Sequence, residues 1–251
     1  MRFESSRMTQ PVYLILGATG GIGSHVSRLL AGSGAQLALA ARGAERLSAL
    51  KEELGGTVYP LDATSVDEVQ AAVDGVVAAH GRVDGIVNCV GSILLKPAHR
   101  TSAEEWRATL AANLDTAFAT VRAGTAAMRK TGGSIVLLSS AAARIGLANH
   151  EAIAAAKAGV VGLALSAAAS YAPQGIRVNV VSPGLVRTPL SEPLTRNPTS
   201  EQASLAMHPL GRLGEPSDVA SAIAWLLDPA QSWVTAQVLG VDGGLGSARS
   251  R

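Results

Sequence analysis

Short apolar runs alternate with longer amphipathic segments along most of the chain, and glycine or proline marks most of the changes between them. The apolar runs predict seven buried β-strands, over Val12–Leu16, Gln36–Ala41, Thr57–Leu61, Val83–Val90, Ser134–Ser139, Ile176–Val181 and Gln237–Val241. The segments between them predict helices over Gly21–Ala31, Ala44–Leu54, Val66–His80, Ser102 to about Lys130, about Asn149–Tyr171 and Ser217–Leu227. This alternation predicts one α/β domain with a doubly wound parallel sheet and helices on both faces.

The ends of the chain and one internal segment depart from this rhythm. Residues 1–10 lack an apolar core, so we expect a flexible tail rather than a signal peptide, followed by a single domain over residues 11–247. Residues 188–210 are polar and rich in proline, and they predict a mobile flap with one short helix inside. Ser102 and Glu105 have the spacing of a capping box at the start of the long helix.

Composition and charge narrow the function classes. Hydrophobic residues make up 47% of the chain and aromatic residues only 3%, so the core must consist of Ala, Val, Leu and Ile, as in parallel strands buried on both faces. The few aromatics and the scattered basic residues, with a net charge of +2, predict no nucleic-acid partner. The chain is long enough to fold without a metal, and no metal site is predicted.

Cellular context is predicted from two further features. Cys89 is the single cysteine, so an internal disulfide is impossible, which fits a reducing cytoplasm. We interpret Cys89 as a small buried apolar residue rather than a nucleophile. The apolar stretch Glu151–Ala169 contains Glu151 and Lys157, so we interpret it as a packed helix and predict no membrane partner.

Glycines at positions 17, 21 and 23 follow the first strand and open the first helix. A dinucleotide pyrophosphate needs a tight turn, a close backbone approach and a helix N-terminus at this place. Glycines could instead only break the chain between strand and helix, but their position favours a Rossmann-type cofactor site.

The residues after the second and third strands bear on which cofactor binds. Arg42 follows the second strand, where a carboxylate would bind a ribose 2′-hydroxyl and an arginine a 2′-phosphate. We therefore expect NADP(H) in preference to NAD(H); the alternative is that Arg42 is only a solvated residue at a helix start. Asp62 could accept from the adenine amino group or could be a loop residue that caps the helix near Val66.

Together these residues resemble the short-chain dehydrogenase/reductase family over nearly the whole chain. The motifs that carry the resemblance, in order, are GATGGIG at Gly17, Asp62, NCVG at Asn88, Asn113, SSAA at Ser139, Lys157, SPGLVRTP at Ser182 and VDGG at Val241. The resemblance implies an NAD(P)(H)-dependent oxidoreductase acting on a small molecule. It implies a cofactor site formed by Gly17, Thr19, Gly21, Ile22, Gly23, Arg42, Asp62, Ala63, Asn88, Gly91, Lys157, Pro183, Gly184, Val186 and Thr188.

The resemblance also implies individual roles. Residues 183–188 would hold the nicotinamide carboxamide, and Lys157 would bind the nicotinamide ribose. Ser140 would bind a substrate carbonyl and Asn113 would order a water relay. Simpler interpretations are that Ser139 or Ser140 is an ordinary strand-end hydroxyl and that Lys157 is a surface lysine. The family further implies a homotetramer (or dimer) built through the two long helices and the final strand, and a hetero-oligomer with an active relative is an alternative.

One family residue is missing. The family's proton-donating tyrosine stands four residues before the lysine and thirteen after the serine, and counting from Lys157 or from Ser140 gives Ile153. Isoleucine has no titratable group, and general acid catalysis contributes a factor of about 10²–10⁴. His150 shares a helix face with Ile153 and Lys157, so it could replace the tyrosine or could be a helix-cap residue beside Asn149. Tyr13, Tyr59 and Tyr171 are expected to lie too far away.

The sequence leaves three hypotheses for the function. The first is an oxidoreductase with a changed proton donor, the second a non-catalytic cofactor-binding subunit, and the third a structural protein without a cofactor. The retained cofactor positions argue against the third. Leu190, Leu194, Leu205 and Met207 in the flap hint at an apolar ligand and identify no substrate.

Overall fold

The computed structural model describes residues 10–248 of the 251-residue chain. All pairs of neighbouring strands are parallel, in the order β3-β2-β1-β4-β5-β6-β7. The strands are β1 (Val12–Leu16), β2 (Gln36–Ala41), β3 (Thr57–Pro60), β4 (Gly85–Asn88), β5 (Gly133–Leu138), β6 (Ile176–Pro183) and β7 (Val238–Val241). The predicted doubly wound α/β sheet is confirmed. The predicted tail lies, apart from Gln10, outside the described residues.

Helices cover both faces of the sheet. They are α1 (Gly21–Gly32), α2 (Ala44–Leu54), α3 (Val66–His80), α4 (Ala103–Leu110), α5 (Thr116–Met128), α6 (Glu151–Tyr171), α7 (Glu192–Thr195), α8 (Pro198–Met207) and α9 (Pro216–Leu227). Successive residues of β1 point to opposite faces, so Leu14 packs with Val73 and Val160, while Ile15 packs with Val26 and Ile223. The sheet is therefore buried on both sides by aliphatic residues, as the composition predicted.

The predicted single helix from Ser102 to about Lys130 is wrong in its middle. A π-helical segment, Ala111–Asp115, separates α4 from α5. Within it Asn113 donates to Thr109 O (2.9 Å) and to Ser92 Oγ (3.0 Å), so its side chain is held inward. Such wide turns occur often at functional sites, and apolar periodicity does not reveal them. The capping box of Ser102 at the start of α4 is confirmed.

Several boundaries differ from the sequence prediction. The fourth strand is shorter than predicted, because its parallel pairing with β1 and β5 extends only over Gly85–Asn88. The sixth strand is longer and reaches Pro183, which pairs with Val241. The long apolar helix begins at Glu151, since Asn149 has a φ of 63° and cannot continue it. The flap contains two helices, α7 and α8, instead of one.

Helix α6 and the turn after it, together Glu151–Gln174, form a segment long and apolar enough to cross a membrane by length and composition. In the structure α6 packs against β5 and β6. Val160 and Ala164 are buried in the core on that side of the sheet. Packing against the sheet accounts for the apolar composition of α6.

Candidate functional site

A cleft of about 840 Å³ opens at the carboxyl ends of the first four strands. Parallel α/β sheets bind ligands at this edge. Nine of the predicted cofactor residues line the cleft, namely Gly17, Thr19, Gly21, Ile22, Arg42, Asp62, Ala63, Gly91 and Thr188. The structure therefore brings together the residues of the glycine loop, of the turns after β2, β3 and β4, and of the start of the flap.

The glycine cradle (residues 17–23) leaves no room for a side chain at Gly17, Gly21 or Gly23. Gly17 has a φ of +77°, and a Cβ on it would lie 3.0 Å from Val90 N. A Cβ on Gly23 would lie 2.2 Å from Gly17 O, and one on Gly21 would lie 2.7 Å from Thr188 Cβ. Because Gly20 supplies no side-chain cap, the first N–H groups of α1 remain for an anion. The residues present fit a dinucleotide pyrophosphate.

Asp62 forms a turn with Thr64, and both residues line the cleft beyond the end of β3. Its Oδ1 accepts from Thr64 N (3.0 Å) and Thr64 Oγ1 (2.9 Å). These hydrogen bonds, and more weakly the charge of Arg42, hold the pKa of Asp62 below its ordinary value, so it stays an ionised acceptor. The alternative of a helix cap is wrong, because Ser65 caps α3.

Arg46 is a cleft residue that the sequence analysis missed. It lies on α2, four residues after Arg42, and its guanidinium donates to Thr19 O. Both arginines are exposed and both line the cleft. The available signal was its place in the first turn of the helix that begins directly after Arg42 and Gly43.

The floor of the cleft is fixed by buried polar residues. Asn88 accepts from Val90 N (2.9 Å) and donates to Thr120 Oγ1 (3.1 Å), which holds the turn after β4. A Cβ on Gly91 would lie 2.9 Å from Asn113 Oδ1 and 3.5 Å from Lys157 Nζ. Asn113 and Lys157 thus meet beside Gly91.

Lys157 is buried, so the interpretation as a surface lysine is wrong. Its Nζ donates to Leu138 O (2.9 Å), and Ser139 Oγ donates to Lys157 O (2.8 Å). Burial lowers the pKa of Lys157 to about 8. Ser139 is therefore a structural hydroxyl. Ser140 Oγ accepts from Ala142 N (3.2 Å), which leaves its proton for another acceptor.

His150 occupies the N-cap position of α6, and Ile153 lies one turn further on. The imidazole Nδ1 is 2.7 Å from Ala148 O. Because a carbonyl oxygen only accepts hydrogen bonds, Nδ1 carries the hydrogen, and Nε2 is free to gain or lose a proton. Ile153 is 6% exposed. The residues that line the cleft do not include His150, Ile153 or Ser140.

The predicted nicotinamide loop is divided between two clefts. Thr188 lines the main cleft, whereas Gly184 lines a second cleft of about 460 Å³ beside β7. Val186 is buried and forms a bridge to Gly214. Pro183 ends β6 and does not line the main cleft. The structure thus brings Thr188 to the glycine cradle and leaves residues 183–186 as its support.

Two further residues that the sequence analysis missed hold this loop. His208 is buried, with Nδ1 2.6 Å from Ser204 O and Nε2 accepting from Leu185 N at 3.2 Å. Ser191, also buried, bonds to Thr188 through several atoms. Neither belongs to a motif that spacing alone could single out.

Cys89 is partly buried, and desolvation raises the pKa of its thiol to about 12. A thiol with such a pKa stays protonated at neutral pH. The interpretation of Cys89 as an unreactive residue agrees with this environment.

Comparison with known proteins assigns the family. A family model described as enoyl-(acyl carrier protein) reductase matches residues 17–246. A solved short-chain type dehydrogenase/reductase from Mycobacterium ulcerans is 34% identical with a TM-score of 0.90, covering 96% of this chain and 91% of that one. The chain belongs to the short-chain dehydrogenase/reductase family. It is an oxidoreductase of that type on a nucleotide-binding fold.

Two more members of the family are informative. D-threitol dehydrogenase of Mycolicibacterium smegmatis is 36% identical over 244 residues, which cover 95% of this chain and 94% of the relative. ElxO, solved with NADP bound, is 27% identical with a TM-score of 0.89, covering 96% of this chain and all of that one. A tyrosine-to-phenylalanine variant of ElxO was solved with NADPH bound.

Proposed function

We propose that this protein is an NADP(H)-preferring oxidoreductase that exchanges hydride with a small carbonyl or alcohol, in an active site where Ile153 replaces the family's tyrosine. The observation that carries the proposal is the glycine cradle, in which a Cβ on Gly23 would lie 2.2 Å from Gly17 O. This close packing of α1 on the loop directs the N-terminus of the helix at the place where a pyrophosphate would bind. The bound nicotinamide would supply or accept the hydride.

The preference for a 2′-phosphate is supported by Arg42 and Arg46. Both guanidinium groups line the end of the cleft where the adenosine ribose would lie, and Arg42 follows β2 where a carboxylate would favour NAD(H). Asp62 would accept from the adenine amino group. The NADP-bound and NADPH-bound ElxO structures belong to the same family.

The residues at the end of β5 and on α6 would act on the substrate. Ser140 would donate to the substrate oxygen and so stabilise the developing alkoxide. Lys157, held by Leu138 O, would bind the nicotinamide ribose, and Asn113 would order water beside Gly91.

Two groups could supply the proton, His150 at the N-cap of α6 and Lys157 within that helix, and one experiment separates them. His150 offers Nε2 because its Nδ1 is bonded to Ala148 O. Lys157 has a pKa of about 8, which makes it an acid of useful strength near neutral pH. If His150 is the donor, His150→Gln lowers the rate of carbonyl reduction by about 10²–10⁴ at unchanged cofactor affinity. An unchanged rate assigns the proton to Lys157.

The substrate class is proposed from the flap. One relative is a D-threitol dehydrogenase, and the matching family model is described as enoyl-(acyl carrier protein) reductase. Family membership therefore leaves the substrate open. Leu190 lines the cleft and is half exposed, and Met207 on α8 is also exposed. An apolar flap of this kind suits a carbonyl compound with an aliphatic or ring portion.

A second function, a cofactor-binding subunit without activity, is favoured by Ile153 alone. The deciding experiment assays purified protein with NADPH and NADH against ketones, aldehydes and imines, beside Ser140→Ala. Turnover that falls in Ser140→Ala while cofactor affinity stays constant supports the oxidoreductase. Tight cofactor binding without turnover on the whole panel supports the inactive subunit instead.

We also propose a homotetramer. Exposed apolar side chains on the outer faces of α5 and α6, Phe118 and Leu165, and Trp233 near β7 fit two separate contact faces. Light scattering after size-exclusion chromatography should give four times the 25.5 kDa chain mass. A monomer at micromolar concentration contradicts this proposal.

A further inference from the structure

The hydroxyl of Ser191 lies in the first turn of the flap and bonds to atoms of Thr188 and Val186. Ser191 Oγ contacts Val186 O and lies 3.1 Å from Thr188 O. It also lies 3.0 Å from Thr188 N and 3.1 Å from Thr188 Oγ1. Ser191 is 3% exposed, although it belongs to a loop.

These contacts determine which atom donates in each hydrogen bond. A hydroxyl has one proton and two acceptor positions. Val186 O and Thr188 O are carbonyl oxygens, which cannot donate, so the proton of Ser191 must point to one of them. Ser191 Oγ therefore accepts twice, from Thr188 N–H and from the Thr188 hydroxyl.

The consequence falls on Thr188. Its hydroxyl proton is committed to Ser191, so towards the cleft Thr188 Oγ1 offers a lone pair and no proton. Its second lone pair accepts weakly from Ser191 N, at 3.3 Å. The methyl group of Thr188 packs over Gly21, since a Cβ on that glycine would lie 2.7 Å from Thr188 Cγ2. Both the position and the hydrogen-bond polarity of Thr188 are thus fixed before a ligand binds.

We propose that Ser191 is a positioning residue, which makes Thr188 a hydrogen-bond acceptor selective for the carboxamide NH₂ of the nicotinamide ring. This inference rests on the proposed function and on the carboxamide contact that the family resemblance implies for Thr188. Fixing the amide group would fix the rotation of the nicotinamide ring and so the face it presents to the substrate.

The test compares two oxidised cofactors that differ at one group. NADP⁺ carries the carboxamide, whereas its 3-acetylpyridine analogue has a methyl group where the NH₂ would be and cannot donate. The wild type should bind NADP⁺ about 5- to 10-fold more tightly, the effect of one hydrogen bond. In Ser191→Ala the Thr188 hydroxyl is free to donate or accept, so this ratio should fall towards one.

Three controls make the ratio specific. The affinity of 2′,5′-ADP, which lacks nicotinamide, should not change in Ser191→Ala, because the adenosine half of the cleft is untouched. Ser191→Thr keeps the hydroxyl and should restore the ratio. Ser200→Ala, a matched change on α8, should leave the ratio at the wild-type value.

The outcomes are distinguishable. If the wild type binds NADP⁺ and its analogue equally, the role of Ser191 is overturned but cofactor binding is not. The same conclusion follows if Ser191→Ala keeps the wild-type ratio. A wild type that binds neither NADP⁺ nor 2′,5′-ADP overturns the proposed function and this inference together. If Ser191→Ala does not fold, Thr188→Val should give the same loss of discrimination, and retention of the wild-type ratio in that variant contradicts the proposal.

Discussion

Lys157 Nζ donates a 2.9 Å hydrogen bond to Leu138 O, which ties the middle of α6 to the end of β5. Ser139 Oγ returns a bond to Lys157 O at 2.8 Å. This reciprocal pair fixes the ammonium group beside Gly91 and Asn113. The lysine is therefore in place, one turn of α6 after Ile153.

The buried ammonium of Lys157 should make stability depend on pH. Its folded pKa is about 8, against an ordinary value of about 10.4. Between these pH values the unfolded chain binds a proton that the folded chain has lost, so the free energy of unfolding rises with pH, by up to about 3 kcal/mol. Below pH 8 both states are protonated and the penalty for burying the charge is constant.

Urea unfolding of wild type and Lys157→Met measures this effect, because their difference cancels groups that titrate in both proteins. The wild type should gain stability relative to Lys157→Met from pH 8 to pH 10. A difference that stays flat, or falls, over that range would show that the folded lysine keeps an ordinary pKa.

A phenol at position 153 should speed proton transfer to the substrate. Ile153→Tyr should raise the rate of ketone reduction, by at most about 10²–10⁴, because it adds a general acid beside Lys157 to the donors already present. Ile153→Phe has the same ring without the hydroxyl and should give no increase. Steady-state kinetics with NADPH compare the three proteins, and equal rates for the two ring variants would rule out Ile153 as the missing donor position.

The glycine cradle should not tolerate a methyl group. Gly23→Ala places Cβ 2.2 Å from Gly17 O, so α1 must move away from the loop. We expect a stability loss of about 1–3 kcal/mol and a loss of NADPH affinity. Gly32→Ala, at the exposed end of α1 with open space around it, should keep the affinity and gain up to about 1 kcal/mol. Calorimetry measures the stability and titration the NADPH affinity of both variants. Equal values for Gly23→Ala and Gly32→Ala would contradict the steric role of Gly23.

The two arginines at the cleft should act on the 2′-phosphate alone. Arg42→Ala and Arg46→Ala should each weaken NADPH binding about tenfold or more, the effect of a lost charge-assisted hydrogen bond. NADH affinity should remain constant in Arg42→Ala and should fall less than NADPH affinity in Arg46→Ala, which also loses the bond to Thr19 O. Arg129→Ala, an exposed arginine after α5, serves as the control. Equal losses for NADPH and NADH would mean that the arginines support the fold rather than the phosphate.

Periodicity and glycine placement predicted much of this fold from the sequence. The bounds of β1, β2, α2 and α3 agree with prediction because apolar runs there end in strong chain breaks. The π segment around Asn113 was missed because one extra residue in a helical turn barely alters an apolar pattern. The start of α6 was misplaced because the positive φ of Asn149 depends on tertiary contact, including the bond from Lys96 N to Asn149 O.

The site was predicted less completely than the fold. Glycines and Arg42 follow strand ends, so their common edge could be inferred from sequence. Ser191 and His208 could not be found, because their importance comes from hydrogen bonds across the flap. The orientation of His150 also needed coordinates, since its Nδ1 is bound to a carbonyl two residues before it.

We propose that the cleft binds a nicotinamide dinucleotide with a 2′-phosphate. The deciding measurement is a titration of the purified wild type with NADPH and with NADH, with both dissociation constants determined under one salt condition. We expect NADPH to bind at least about tenfold more tightly than NADH, through the glycine cradle and the two arginines. Binding of neither nucleotide would contradict it and would leave the scaffold without its cofactor role.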